Sequence, residues 1–441
     1  MTLLHFIYSF LASVVSPFLF KVVMPTLLFL FPPLKRVRVV AMLLRRKQLE
    51  LRFASKLPLL TKASTAFEVS SEGELEQVRP IINRLLQRGA TIELIFCSES
   101  VAEACTRLQA QAKGCLRVIC LPLVSGIKLH QLISAKRLVL CRYDLYPELL
   151  LYGWRSSVDF ILVSATLKDK KLQRPLTRWY WKTIYSSFNQ ILTATPKDLL
   201  ALKALLLPTA ATTTIDFLEA RAVQIVERLL QKEKKLTFQN YLQFLERFSR
   251  DDRIIMGSCW PCEMQLFSDR DFVSAIADGR CQVTLVPHLL SSESLLQLQE
   301  AISKVDELKF VLLTAETIAH TLASELSGKL VILAIKGVLC ELYTAFGHAF
   351  VGGGHGRSIH SVLEPYLAGS LIYVGPKTFR SSEFDLVSEL SPLEVRVVDE
   401  LKDFYNKHYK EQRGREVELS IRDHLAKTQC PRLEEFVNKC L

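Results

Sequence analysis

Residues 66–96 read AFEVSSEGELEQVRPIINRLLQRGATIELIF. Ala66 to Ser70 is a short β-rich run, Glu74 to Arg88 carries apolar residues at helical spacing, and Thr91 to Phe96 is again β-rich. Gly89 between the last two is a helix stop. A strand, a helix and a second strand within so few residues form a βαβ unit, which predicts a parallel sheet.

The alternation continues outward from this unit. Further strands fit at Arg117 to Leu121, Leu138 to Cys141, Asp159 to Val163 and Gln190 to Thr193. From Thr195 to Phe248 the pattern is long and helical, and Thr212-Thr213-Thr214 with Lys232-Glu233-Lys234-Lys235 marks a connector. A second series of strands then follows, at Arg253 to Met256, Gln282 to Val286, Lys309 to Leu313, Leu330 to Ile335, His348 to Val351 and Leu371 to Val374. After Leu401 the chain is helical and charged, with length enough for a helix that returns to the first half. The expectation is an α/β chain of two doubly wound sheets facing a cleft, with ligands outside the carboxyl ends of the strands. Its parts are an apolar anchor at 1–34, a basic segment at 35–65, a first domain at 66–210, a helical connector at 211–250, a second domain at 251–400 and returning helices at 401–441.

Upstream of the first strand the chemistry is different. Between Met1 and Leu34 the only formally charged side chain is Lys21, and Leu, Phe, Ile and Val occupy every helical face. Such a stretch suits lipid, as a spanning helix or a deep one-sided anchor, although Pro17, Pro25, Pro32 and Pro33 interrupt it. It lacks the basic start and small-residue exit of a cleaved signal peptide. Residues 35–62 then carry nine Lys and Arg side chains against the single Glu50. Cations beside an apolar segment stay on the cytoplasmic side and attract anionic headgroups.

The whole chain of 441 residues has a formal charge of +11, and the basic segment supplies most of it. That assigns the charge to a membrane surface; no basic motif interleaved with aromatics supports nucleic acid. With 49% apolar and 23% charged residues, and 17 Gly and 17 Pro, collagen-like and disordered classes are excluded. Eleven scattered cysteines indicate reduced thiols in the cytosol rather than a disulfide framework.

Residues able to carry chemistry lie where strands end. The turn Ser70-Ser71-Glu72-Gly73-Glu74 puts Glu74 in a first helical turn, as a candidate base or a simple dipole partner. Asp144 follows a strand and precedes a helix, as a functional carboxylate or an N-cap. Gly352-Gly353-Gly354-His355-Gly356 ends another strand, where exposed N–H groups can hold phosphate or where backbones approach closely. Cys259-Trp260-Pro261-Cys262 has redox spacing, which requires a depressed thiol pKa at Cys259, and a lone pair of cysteines does not complete a zinc site.

Taken in order, the apolar anchor, the basic stretch, Phe67-x-x-x-Ser71-x-Gly73-Glu74, Asp144-Leu145-Tyr146-Pro147, Gly352-Gly353 and His360-x-x-Leu363-Glu364-Pro365 resemble the 3-deoxy-D-manno-octulosonic acid (Kdo) transferases. These are membrane-associated GT-B glycosyltransferases of lipopolysaccharide assembly, built from two Rossmann-like domains. The resemblance implies transfer of Kdo from CMP-Kdo to a lipid A-type acceptor at the cytoplasmic side of a bacterial inner membrane, inverting and without metal or cofactor. It implies Glu74 as base, with Asp144 orienting acceptor or base. It implies contacts to the CMP moiety from Gly337, Leu339 and Tyr343, and nucleotide contacts from Ser258, Gly352, Gly353, His360, Ser361 and Glu364.

The chain also departs from the family pattern. Glu68 stands for a histidine and Glu72 for a valine around the first turn, Ser164 to Lys168 lacks the family's Asn, and Ser258 to Met264 replaces an S-T-H-x-G-E-E stretch. His288 stands for an arginine and Ser361 for an asparagine, and the later Asn is replaced near Arg380. Exchanging arginine for histidine removes a permanent bidentate phosphate donor. A second reading follows from these losses: a homologue that keeps fold and anchor and serves as a membrane-bound binding or scaffold protein.

Overall fold

The computed structural model describes residues 7–8, 10–15, 18–31, 37–54, 62–122, 126–142, 145–167, 172, 174–206, 213–356, 358–379 and 381–441. Two compact units are present, one formed by Met1–Arg221 with Gln429–Leu441, the other by Ala222–Thr428.

The first unit holds a seven-stranded sheet of β1 (Thr65–Val69), β2 (Ile92–Phe96), β3 (Leu116–Cys120), β4 (Arg137–Cys141), β5 (Asp159–Ala165), β6 (Gln190–Thr193) and β7 (Thr214–Phe217). Its order is β3-β2-β1-β4-β5-β6-β7, and every pairing is parallel. All residues of β1, β2 and β3 are buried, as expected for a parallel sheet covered on both faces. This is why these strands read as near-continuous apolar runs.

The second unit repeats the architecture with β8 (Arg253–Cys259), β9 (Gln282–Pro287), β10 (Phe310–Leu313), β11 (Leu330–Leu333), β12 (His348–Val351), β13 (Leu371–Val374) and β14 (Val395–Val397). The order is β10-β11-β9-β8-β12-β13-β14, again parallel throughout. The strand order reverses between β1 and β4 in the first sheet and between β8 and β12 in the second, where β11 also lies inside β10. Loops leaving the carboxyl ends of β1, β4, β8 and β12 are where ligands of open α/β sheets bind.

Two strands were not expected. β7 falls in the stretch read as connector, and β14 in one read as the end of the second domain. Both are short sheet edges, and three of the four β7 residues are not buried, so the apolar run that marks the central strands is missing.

The end of the chain belongs to the first unit. Thr65 Oγ1 donates to the Cys440 carbonyl at 2.8 Å, and Arg84 Nε donates to Glu434 Oε1 at 2.6 Å. The Glu219 N–H donates to Gln429 Oε1 at 2.9 Å, so three separate parts of the unit hold this terminal segment. At the other end, the N-terminal stretch is helical in short pieces, Leu11–Val15, Leu19–Val23 and Met24–Leu30. Among the described residues no helix is long and apolar enough to cross a membrane. Most of the basic stretch that follows lies in the helix Arg38–Ala54.

Candidate functional site

In the first unit the chain leaves β1 at Ser70 and enters the helix Glu72–Gln87. Ser71 caps that helix, its Oγ accepting the Glu74 N–H at 3.3 Å. The Glu74 side chain folds back rather than out: Oε2 accepts the Ser70 N–H at 2.6 Å, and the residue is 3% exposed. Glu74 therefore sits at the switch point between β1 and β4, in the first helical turn expected of it, with one oxygen held by backbone.

Ser70 binds a second carboxylate. Its hydroxyl donates to Glu68 Oε1 at 2.8 Å, and Glu68 is fully buried. Cys97 Sγ, just past β2, donates to Tyr146 Oη at 2.7 Å, and Tyr146 Oη lies 3.2 Å from Ser70 Oγ. Because Ser70 gives its own proton to Glu68, the tyrosine proton points to Ser70 Oγ. A directed chain results, from thiol through phenol and hydroxyl to carboxylate. Burial pushes both the Tyr146 phenol and the Cys97 thiol up, so both stay protonated at neutral pH. The Arg46 guanidinium lies 5.6 Å from the Tyr146 ring centroid, which brings the basic helix to this site.

Asp144 lies outside the described residues. Tyr146, two positions on, caps the helix Pro147–Arg155 and was read only as part of a motif. Glu72, which stands for the family's valine, is exposed and 3.9 Å from Arg107.

The second unit gathers its loops around a buried carboxylate that sequence reading passed over. Glu263 is fully buried; Oε2 accepts the Trp260 N–H at 3.0 Å and Oε1 accepts the Gly353 N–H at 2.6 Å. Burial raises its pKa, while these two amides and the Cys259 thiol favour the charged form. The Gly352 N–H in turn donates to the Gly257 carbonyl at 2.8 Å. Gly352 and Gly353 thus direct their N–H groups into the protein, not toward a phosphate. Their glycines serve close approach: a Cβ at Gly352 would lie 2.4 Å from the Ser258 carbonyl oxygen.

Ser258 is the extra residue of a β-bulge between Gly257 and Cys259 and has φ +56°, a left-handed conformation that is strained for serine. The thiol at Cys259 is buried and pushed well up by burial and by Glu263, which removes the redox reading; Cys262 is exposed.

Three rings stack beside this bulge. Trp260 and His288 have centroids 4.6 Å apart and His288 and His360 4.1 Å apart. Trp260 Nε1–H donates to His360 Nε2 at 3.2 Å, so His360 is neutral with its proton on Nδ1. Burial and His288 push His360 down to about 4, and burial lowers His288 also. His288, in place of the family's arginine, brings no fixed positive charge.

Ser361 Oγ donates to Glu383 Oε2 at 2.7 Å, and Glu364 lies half-buried in the first turn of the helix Leu363–Leu367. Gly337 is exposed with φ +83°. Leu339 and Tyr343 are packed in an apolar cluster, and Tyr343 is 1% exposed with its hydroxyl against Gly257. Tyr343 therefore supports the bulge from beneath instead of presenting a face to a nucleotide. Arg228 makes a bidentate pair with buried Glu341, at 2.9 and 2.8 Å. Among the described residues no group of three or more His, Cys, Asp or Glu is placed to hold a metal ion.

Two parallel seven-stranded sheets, each with polar loops at its switch point, make a GT-B fold. Residues 47–217, within the first unit, match the family model of 3-deoxy-D-manno-octulosonic-acid transferase (kdotransferase). Among solved structures, the UDP-GlcNAc 2-epimerase of Neisseria meningitidis bound to UDP-GlcNAc is 12% identical, with 85% of this chain and 100% of that one covered and a TM-score of 0.50. A glycosyltransferase from Rickettsia africae ESF-5 is 10% identical over 86% of this chain and 99% of that one, with a TM-score of 0.48. The C-terminal CMP-Kdo binding domain of WaaA from Acinetobacter baumannii is 16% identical over 49% of this chain and 96% of that one, with a TM-score of 0.31. At such identities the likeness shows fold alone. No curated protein sequence matches the chain.

Proposed function

We propose that the protein transfers Kdo from CMP-Kdo to a lipid A-type acceptor, with inversion and without a metal, at the cytoplasmic face of a bacterial inner membrane. The acceptor hydroxyl oxygen bonds to the anomeric carbon as the bond to the CMP phosphate breaks, and Glu74 takes the hydroxyl proton. CMP departs as a good leaving group that needs little acid help. On the second unit, Ser258, His360, Ser361 and Glu364, all half-buried, and Gly337, exposed, are positions assigned to the nucleotide. Asp144 keeps the orienting role that the resemblance gives it. The apolar residues 1–34 and the cations that follow tie the enzyme to the bilayer that holds its acceptor.

One observation carries this reading: within the stretch that matches the Kdo transferase family, Ser71-x-Gly73-Glu74 lies at the switch point between β1 and β4. Glu74→Gln keeps the size of the side chain and removes its basicity. Membranes carrying the variant are expected to lose Kdo transfer by about a hundredfold or more, the range for a general base, and full activity in that assay removes Glu74 from the role. Complementation of a Kdo-transferase-deficient strain, followed by mass analysis of its lipid A, tests donor and acceptor together.

The neutral His288 in place of an arginine favours the scaffold reading as the alternative. Titration with CMP separates the two, since a scaffold has no need to bind at millimolar concentration.

A further inference from the structure

The helix Pro175–Tyr185, sequence PLTRWYWKTIY, was not part of the expected anchor. Its inner face is fixed: Ile184 and Tyr185 are buried, and Trp181 stacks on Tyr185 with centroids 5.6 Å apart. Its outer face is not. Leu176 is 74% exposed and Trp179, one turn on, is 43% exposed. Arg174 and Arg178 flank them in solvent with half-exposed Lys182, and the helix contains no acidic residue.

This helix touches the N-terminal apolar stretch. The Tyr8 and Tyr180 hydroxyls are hydrogen-bonded, and the Tyr8 ring stacks on Trp154 at 5.6 Å. Beyond Tyr8, Phe10, Val14 and Phe18 are 51%, 52% and 57% exposed. A soluble surface does not leave two neighbouring elements with outward Phe, Val, Leu and Trp side chains among cations unless something apolar and anionic covers them.

We propose that the outer face of the helix Pro175–Tyr185 is a second membrane-contact element, in which Leu176 and Trp179 enter the headgroup boundary of an anionic bilayer while Arg174, Arg178 and Lys182 bind lipid phosphates. Two contacts far apart in sequence hold the first unit in one orientation on the bilayer, where a single anchor leaves it free to swing. This rests on the membrane-associated part of the function proposed above and not on its transfer chemistry.

The test uses the full chain and vesicles of phosphatidylethanolamine with phosphatidylglycerol, against phosphatidylcholine alone. Brominated lipid is expected to quench Trp179 fluorescence, and Trp179→Phe to remove that quenching. Arg178→Gln is expected to weaken binding to the anionic vesicles by about fivefold at low salt, and to leave phosphatidylcholine binding unchanged. Leu176→Asp tests the apolar part by the same binding assay. If the protein binds vesicles and Trp179→Phe leaves the quenching unaltered, this helix does not touch lipid and the anchor alone stands. If the full chain does not bind vesicles, both fall. If Leu176→Asp converts a dimer to a monomer in sedimentation and leaves vesicle binding intact, a second copy of the chain covers this face and the proposal is overturned. Glu74→Gln, assayed separately for sugar transfer, reports on the chemistry without touching this surface.

Discussion

The Glu263 carboxylate holds the Gly353 N–H at 2.6 Å, joining the short helical segment after β8 to the turn after β12. Those strands are neighbours in the sheet, and Ser258, Gly352, Gly353 and His360 lie on or beside the loops that this carboxylate braces.

Glu263→Gln keeps the shape and one acceptor, but its amide nitrogen faces a backbone N–H that needs an acceptor. A buried donor left unsatisfied costs about 1–3 kcal/mol. Denaturant unfolding of the variant is expected to show that loss. An unchanged midpoint means the turn is held by other contacts.

Ser70 joins two carboxylates, with its hydroxyl on Glu68 and its amide on Glu74. Ser70→Ala removes only the first of these bonds. The buried Glu68 then loses a donor, at about 1–3 kcal/mol in stability. Under the proposed mechanism kcat for sugar transfer falls with little change in KM, because the base loses a rigid neighbour while the substrates lose no contact. A fall in stability with unaltered kcat makes Ser70 structural alone.

Gly257 and Tyr343 are matched by shape. A Cβ at position 257 would lie 2.0 Å from Tyr343 Oη and 2.9 Å from its Cζ. Gly257→Ala is expected to destabilise the second unit by about 1–3 kcal/mol, the usual range for overpacking. Tyr343→Phe in the same chain removes the atom met at the shorter distance. The pair should be non-additive, the double variant being more stable than the sum of the single losses predicts. Additive losses place Tyr343 away from Gly257.

His348 is fully buried, and its Nδ1 lies 2.8 Å from Tyr373 Oη. Burial pushes its pKa down to about 4, Arg250 and Arg413 act in the same direction, and Asp252 opposes them. Between the ordinary value near 6.5 and about 4, the unfolded chain binds a proton that the folded one does not. Stability is therefore full above that window and falls as pH drops through it, by about 3 kcal/mol for this group. His348→Phe is expected to flatten the slope of unfolding free energy against pH over that range. An identical slope assigns the proton uptake elsewhere, His360 being the next candidate.

Central strands of both sheets were legible because burial on two faces demands apolar runs, and the intervening Gly89 and helical periodicity separated them. Edge strands β7 and β14 were not, since an edge needs neither length nor continuous apolarity. The place of Glu74 in the first helical turn was legible because a turn motif sets it by local rules. Glu263 was not, although it sits in a stretch compared with the family, because its importance comes from Gly353, ninety positions away in the chain. Likewise Tyr146, Cys97 and Ser70 meet only when β1, β2 and the end of β4 lie side by side.

Period and composition alone settled the fold class: strand–helix alternation makes parallel sheets, since helical spacing and apolar strand runs are local consequences of side-chain chemistry. Folding decided what the local rules leave open. It turned the glycine N–H groups inward to Glu263 and Gly257, tucked Tyr343 beneath the bulge, buried Cys259 out of redox use and left Trp179 facing out. Hydrogen-bond partners and burial depend on which distant segments the sheet order brings together, and one-dimensional spacing carries no record of that.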